Sequence, residues 1–306
     1  MPATPHSAAA YSAAPHNAAP ARALRRAVFA VSVLADLDVV PANLGLTLPG
    51  RRPIWVTWGE VRRALAGHPA SSELGLRRLT DWLTARRWAG DLAPEELCSR
   101  LRVVGLPTGH ALHPGADWVR SRVRGGIVEL GYGAVGLDPA RPDAVLLLPT
   151  PALDRIGLDG EAAGLQAFAQ LEVWGAVAAA RAVRHPLGLL RPSGDADVVT
   201  LLGSAVFRSA MASGPAHGLA TAVVPTRRRG WSVLRLIDPA FAPCAAAATP
   251  AAERGFHRPL LITADDVTMV VPGSRTTAGA PGAGALGAGA LGSGALDADL
   301  RHHGQP

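Results

Sequence analysis

The chain has 306 residues and a formal net charge of +6 from thirty basic and twenty-four acidic side chains, and every basic residue is arginine. With no lysine, the chain cannot supply the phosphate-binding Lys of a Walker A loop, a pyridoxal Schiff base, the strand Lys of a protein kinase or a Ser-x-x-Lys nucleophile. Its two cysteines, Cys98 and Cys244, cannot build a thiolate zinc site or a cysteine-ligated iron–sulfur cluster within one chain, and they read as small buried hydrophobes in a reducing compartment.

The positive charge is local. Residues 51–124 carry thirteen arginines against seven acids, while residues 125–306 carry fourteen against fifteen. A local excess of this kind marks the segment to search for an anionic partner. Residues 1–21 are mostly Ala, Pro, Ser, His and Asn, and from Gly273 the chain runs through tandem GAGAL units. Neither stretch can bury enough apolar area to offset the entropy of ordering, so both are expected to be disordered tails. They flank a globular body over residues 22–272, with an Arg-rich helical block at about 51–124.

In chain order, Arg25-Arg26 precede an apolar run that reads either as an export signal or as a buried first strand, Ala27 to Val40, ending at Pro41. The strand is preferred, because the run is short for a signal and is followed by a turn-forming proline. No run is long enough to span a bilayer, and a cytoplasmic location follows as the expectation. Asn43 to Pro49 is a second strand or turn. Thr57 with Glu60 three residues on is a capping box, and Gly67 to Pro69 stop that helix. Ser71 or Ser72 opens another helix with Leu76, Leu79 and Leu83 as its stripe, and Pro94 starts a third running to about Val104. Trp118 to Val123 adds a short fourth turn.

Ile127 to Leu130 and Ala144 to Leu148 read as paired strands. A long helix runs from about 159 to 185, before Pro186, with Phe168, Leu171, Trp174 and Ala178 inward, and Asp195 opens a second long helix ending at Gly214-Pro215. Leu219 to Val224 and Trp231 to Ile237 form a hairpin, and Leu260 to Thr263 with Val267 to Val271 a final pair. Neighbouring strands with grouped helices predict an α+β fold: a single mixed sheet, two long packed helices and an N-terminal helical block.

Several constellations invite a chemical reading. Gly131-Tyr-Gly133-Ala-Val-Gly136 matches the dinucleotide pattern, but Leu-Asp-Pro follows where a helix should begin, so a glycine-rich hairpin connection is preferred. His110, His113 and Asp117 have zinc-compatible donors in a loop, where histidines are more often surface groups. His217 lacks a nucleophile to serve, since Ser204 is not flanked as in a nucleophile elbow. Asp36 and Asp38 at the end of the first strand, with Asp265 and Asp266 after a last strand, could hold Mg or Mn, although a turn explains them more simply.

The remaining candidates are the arginines. Arg227, Arg228 and Arg229 crown a hairpin with Trp231 behind them, and the pairs Arg77-Arg78 and Arg86-Arg87 could extend an anion-binding surface, with the indole stacking on a base. Arg62-Arg63 could join them. An ordinary solvated face accounts for any one pair, and Arg77 can bond Asp81 one turn on. The leading expectation is a non-catalytic binding or regulatory module with no cofactor, recognising nucleic acid or another polyanion. The alternative is a metal-dependent enzyme acting on a phosphorylated or glycosylated small molecule.

Overall fold

A computed structural model describes residues 18–157, 159–215, 217–232 and 240–270. The fold is α+β, with three antiparallel sheets rather than one mixed sheet. Of the expected tails, Ala18 to Ala21 open the first helix, and the rest of residues 1–21 and all of 273–306 lie outside the described residues.

The first layer begins with a correction. Residues Ala18–Leu34 form helix α1, not a strand. Leu24, Ala27, Val28 and Val31 recur at helical spacing and are buried, so burial follows a 3.6-residue period inside a continuous apolar run. The helix closes at Asp36, whose φ of 50° is left-handed, while Leu37 N–H donates to Ser32 O at 2.8 Å. This is the outer hydrogen bond of a Schellman motif, and Leu37 supplies the buried apolar residue that accompanies it. Strands β1 (Val40–Pro41), β2 (Gly45–Leu48) and β3 (Ile54–Thr57) form a small meander beside it.

Thr57 then caps α2 (Trp58–Ala64) with the reciprocal Glu60 bonds of a capping box, and Ser72 caps α3 (Glu73–Asp91). Leu79 and Leu83 of α3 complete the core shared with α1 and the meander. Helix α4 (Pro94–Ser99) is one turn and a half, far short of Val104. The next residues, Leu-Arg-Val-Val-Gly-Leu-Pro, are strand β4 (Leu101–Pro107), where β-branched side chains favour a pleated surface over a helix.

β4 pairs with β6 (Val128–Val135), whose other edge carries β5 (Ser121–Arg122) and β7 (Val145–Leu147). The expected turn near Trp118 is a 3-10 turn, Ala116–Trp118. Gly131 and Gly133 lie within β6 rather than in a connection, so the glycine-rich motif is a strand. One face of this sheet joins the main core, and the other carries Val104, Leu106, Val145 and Leu147 under the buried ring of Trp118.

After the short α5 (Thr150–Asp154), the 26-residue α6 (Asp159–Arg184) packs on β4, with Leu171, Ala178 and Ala182 buried. The second long helix is instead two short ones, α7 (Val198–Leu201) and α8 (Ala205–Ser213), following β8 (Leu189–Leu190). Asp197 and not Asp195 caps α7, because Arg102 holds Asp195 at 2.6 Å; Ser204 caps α8 and restarts the helix after Gly203.

The third sheet runs β12-β11-β9-β10-β8, built from β9 (Ala220–Thr226), β10 (Arg229–Trp231), β11 (Leu260–Ile262) and β12 (Val267–Met269), with α9 (Phe241–Ala248) against β9. The turn of the first hairpin is Arg227-Arg228, and the expected strand beyond Ser232 lies outside the described residues. Among the described residues no helix is long and apolar enough to cross a membrane.

Candidate functional site: an arginine-lined cleft

A cleft of about 640 Å³ opens on the surface, to which α2, α3, the loop Leu112 to Trp118, the return into β7 and the β9–β10 turn all contribute. Its apolar part is Trp82, Trp118, Leu146, Leu147, Leu148 and Pro149. Its charged lining is six arginines, Arg63, Arg77, Arg78, Arg86, Arg141 and Arg227, against three carboxylates, Glu60, Asp81 and Asp117. Four of the eight arginine and tryptophan candidates therefore meet in one place, brought from α3 and from a hairpin about 140 residues further along the chain.

The other four stay outside. Arg87 bonds Asp91 one turn on and stacks 4.7 Å over Trp88. Arg228 and Arg229 are exposed on the hairpin, and the Trp231 ring packs edge-on against Phe241 at 5.3 Å. That indole is engaged within the protein, so the expected partnership of Trp231 with the arginine turn is not formed.

Five of the six cleft arginines are held by the protein, and Arg63 is exposed with no hydrogen bond or ion pair among the described residues. Arg78 is buried and pairs with no carboxylate among the described residues: its guanidinium donates to Ala64 O at 2.8 Å, His113 O at 3.1 Å and Ala111 O. Burial lowers its pKa, yet a guanidinium starts from so high a value that it stays charged, so Arg78 carries an uncompensated positive charge into the wall. Arg86 donates to Glu60 at 3.0 Å and lies 5.4 Å over the Trp82 ring, leaving its buried Nε without a partner. Burial alone would raise the Glu60 pKa, but hydrogen bonds from Thr57 and the charges of Arg86 and Arg63 outweigh it and hold the carboxyl below its usual range.

The remaining cations pair with acids mostly outside the lining. Arg227 bonds Asp197 at 2.6 Å, Arg77 bonds Glu253 at 2.9 Å, and Arg141 bonds Asp138 at 2.6 Å and the lining residue Asp81 at 2.9 Å. Asp138, Asp197 and Glu253 do not line the cleft. The guanidinium groups of these pairs line the cleft together with Asp81, which also lies 3.8 Å from Arg77. Among the described residues the Nη1 groups of Arg77, Arg86, Arg141 and Arg227 make no hydrogen bond, and each guanidinium has five donors to offer.

The histidine loop belongs to this wall. His110 Nδ1 accepts from Leu112 N–H and His113 Nδ1 accepts from Gly115 N–H, both at 3.1 Å, which uses one nitrogen of each ring to shape the loop that grips Arg78. His113 Nε2 stands 3.0 Å from a Glu129 oxygen, off the line of a hydrogen bond, and Glu129 is itself bonded to Arg122 at 2.8 Å. His110 is buried, and burial together with the charge of Arg227 pushes its pKa down to about 3.

No three His, Cys, Asp or Glu side chains converge on a metal position among the described residues. Asp36 terminates α1 and is on no strand, Asp38 follows in the same connection, and Asp265 and Asp266 form the β11–β12 turn, where Asp266 N–H donates to Thr263 Oγ1. The first strand that was to end in Asp36 and Asp38 is helix α1, which belongs to no sheet. Ser204 donates to Glu172 Oε2 at 2.5 Å and accepts from Phe207 N–H, the geometry of a helix cap and not of a nucleophile. His217 is exposed beyond α8.

Arg141 and Trp118 were not anticipated as site residues. The only local signal for Arg141 is its place in a Pro-rich connection between two strands, and that says nothing of Asp81, sixty residues away in sequence. Comparison with family models, with curated proteins and with solved structures gives no match to this chain.

Proposed function

We propose that the protein is a binding module whose cleft takes a small acidic ligand with a flat apolar body. The observation that carries this reading is the composition of one concave surface: six arginines against three carboxylates, around the half-buried indole of Trp82 and a leucine floor, with Trp118 buried beneath it. Guanidinium forks match the geometry of carboxylate, sulfonate and phosphate groups, and an indole face accepts a planar partner. A cavity of about 640 Å³ is within the range that encloses a drug-sized molecule. The same arrangement disfavours a polyanion strand, which needs exposed cations in a row; here the exposed Arg63, Arg77 and Arg141 and the recessed Arg78, Arg86 and Arg227 are drawn from separate elements.

The test uses the cleft's own fluorophores, Trp82 and Trp118. Naphthalene-1-sulfonate and nucleoside monophosphates are titrated against the intact protein, with inorganic phosphate and a single-stranded oligonucleotide in parallel. The aromatic anions are expected to bind saturably, and the double variant Arg63→Gln, Arg141→Gln to bind them at least about tenfold more weakly, the loss of one to two charge-assisted contacts. Absence of saturable binding by any aromatic anion overturns the reading. So does tight oligonucleotide binding that the two substitutions leave unchanged.

A further inference from the structure

The outermost line of α6 is apolar along the whole helix. Leu165, Val173 and Val183 are 74%, 59% and 68% exposed, and Ala162, Ala169, Ala176 and Ala180 fill the turns between them, all exposed. A helix resting on a sheet presents its polar residues to water along this line; here the exposed charges are near its ends, Glu161 at one and Arg181 and Arg184 at the other, and the one exposed polar side chain between them is the uncharged Gln166. Glu161 and Arg184 form no ion pair among the described residues.

The order of residues along this line has a symmetry of its own. Reversed about the point between Glu172 and Val173, the helix places Leu165 opposite Ala180, Ala162 opposite Val183, Ala169 opposite Ala176 and Glu161 opposite Arg184. Leu165 and Val183 then each face an alanine, Val173 lies at the axis beside Glu172, and each end charge faces its opposite. A two-fold axis makes just such a self-complementary contact, in which residue i meets j and j meets i. Ala169 and Ala176 at the middle allow the two backbones to approach closely, and Val206, exposed at the start of α8 next to Glu172, widens the contact beside the axis.

We propose that α6 is the seam of a symmetric homodimer in which two copies of this helix pack antiparallel about Val173. The charge and size pairing selects a second copy of the chain over any other apolar partner, because both halves of the match lie on the same helix. A 26-residue helix is about 39 Å long, and a contact strip roughly 10 Å wide buries about 400 Å² on each copy, half of a standard interface. The dimer is therefore reversible and dissociates on dilution through the micromolar range.

Sedimentation equilibrium of the full chain between about 1 and 200 µM is expected to show a monomer–dimer equilibrium. Val173→Glu should weaken it at least a hundredfold without lowering the melting temperature, since that side chain is exposed. Glu161→Arg alone should weaken it, and Glu161→Arg with Arg184→Glu should restore it, an outcome that general loss of folding cannot mimic. In a Cys244→Ser background, Val173→Cys should be joined to its copy by a short bismaleimide, whereas Ala162→Cys, about 30 Å from its own copy along an antiparallel pair, should not. A monomer at every concentration overturns the proposal, as it must if another part of the same chain covers α6. A dimer broken by Val33→Glu on α1 and unmoved by Val173→Glu overturns it equally, assigning the interface to the exposed apolar face of α1.

Discussion

A β-carbon placed on Gly131 would stand 2.3 Å from Cε2 of Trp118, so the glycine is the space in which the indole lies. The ring is held there by its own Nε1–H, which donates to Tyr132 O at 2.8 Å. The motif that resembles a phosphate loop thus serves to bring an aromatic ring flat against a strand and so to build the cleft's floor. Gly131→Val is expected to lower stability by about 3 kcal/mol or more, because neither the indole nor the strand can retreat. Replacing Trp118 by Leu in the same chain should recover part of the loss, so the two changes should be non-additive in urea unfolding. Additive costs would show that the glycine is required for another reason.

Asp36 offers a test of the opposite sign. It holds a left-handed conformation at the end of α1 with φ of 50°, which costs a side-chain-bearing residue about 1 kcal/mol that glycine avoids. Asp36→Gly is therefore expected to stabilise the protein by up to about 1 kcal/mol, and millimolar Mn²⁺ to leave the melting temperature of both proteins unchanged. A manganese-dependent rise that disappears in Asp36→Gly would return this carboxylate to metal ligation.

His110 should make stability depend on pH in a defined window. Its pKa is about 3 in the folded protein, through burial first and the Arg227 charge second, against 6.5 for the free side chain. Between those values the unfolded chain takes up a proton that the folded one refuses. The contribution is fully present above pH 6.5 and is lost as the pH falls from there towards 3, by a little over 1 kcal/mol per unit. His110→Gln is expected to flatten the stability profile between pH 6.5 and 4 relative to the parent. An unchanged slope would place the acid sensitivity elsewhere.

Glu172 ties two helices together from within. Its carboxylate accepts from Ser204 Oγ at 2.5 Å, from Ala205 N–H at 3.0 Å and from Val206 N–H at 2.9 Å, so one side chain of α6 closes the N-terminus of α8. Glu172→Ala is expected to cost about 1 to 2 kcal/mol in thermal or urea unfolding, since it leaves the buried Ser204 hydroxyl without its acceptor and uncaps two exposed N–H groups. A fluorophosphonate probe should not label Ser204. Covalent labelling at that residue would overturn its assignment as a cap.

How much of this was legible depended on whether the deciding information was local. The Thr57–Glu60 capping box, the Ser72 cap and the bounds of α6 were readable because each is fixed by residues within a turn of one another. α1 was misread because Phe29, Val33 and Leu34 are apolar and exposed, which filled the gaps that would have revealed the spacing of Leu24, Ala27, Val28 and Val31. Asp195 reads as a cap by type alone, Asp197 is as good by the same measure, and only Arg102, 93 residues away from Asp195, decides between them. Arg77, Arg78, Arg86 and Arg227 were found by type, but their convergence, and the arrival of Arg141 beside Asp81, are properties of the tertiary fold alone.

Helix α3 lends Leu79 and Leu83 to the core around α1 and the small meander, and Ala85 and Ala89 to the core around β4, β6 and α6. Since 3.6 residues make a turn, these two pairs are set less than three turns apart on one rod. Neither core can dissolve without withdrawing the support of the other, so the two halves lose the option of melting in sequence. Heat should register a single transition, with the cleft walls parting at the same temperature at which the sheets come undone.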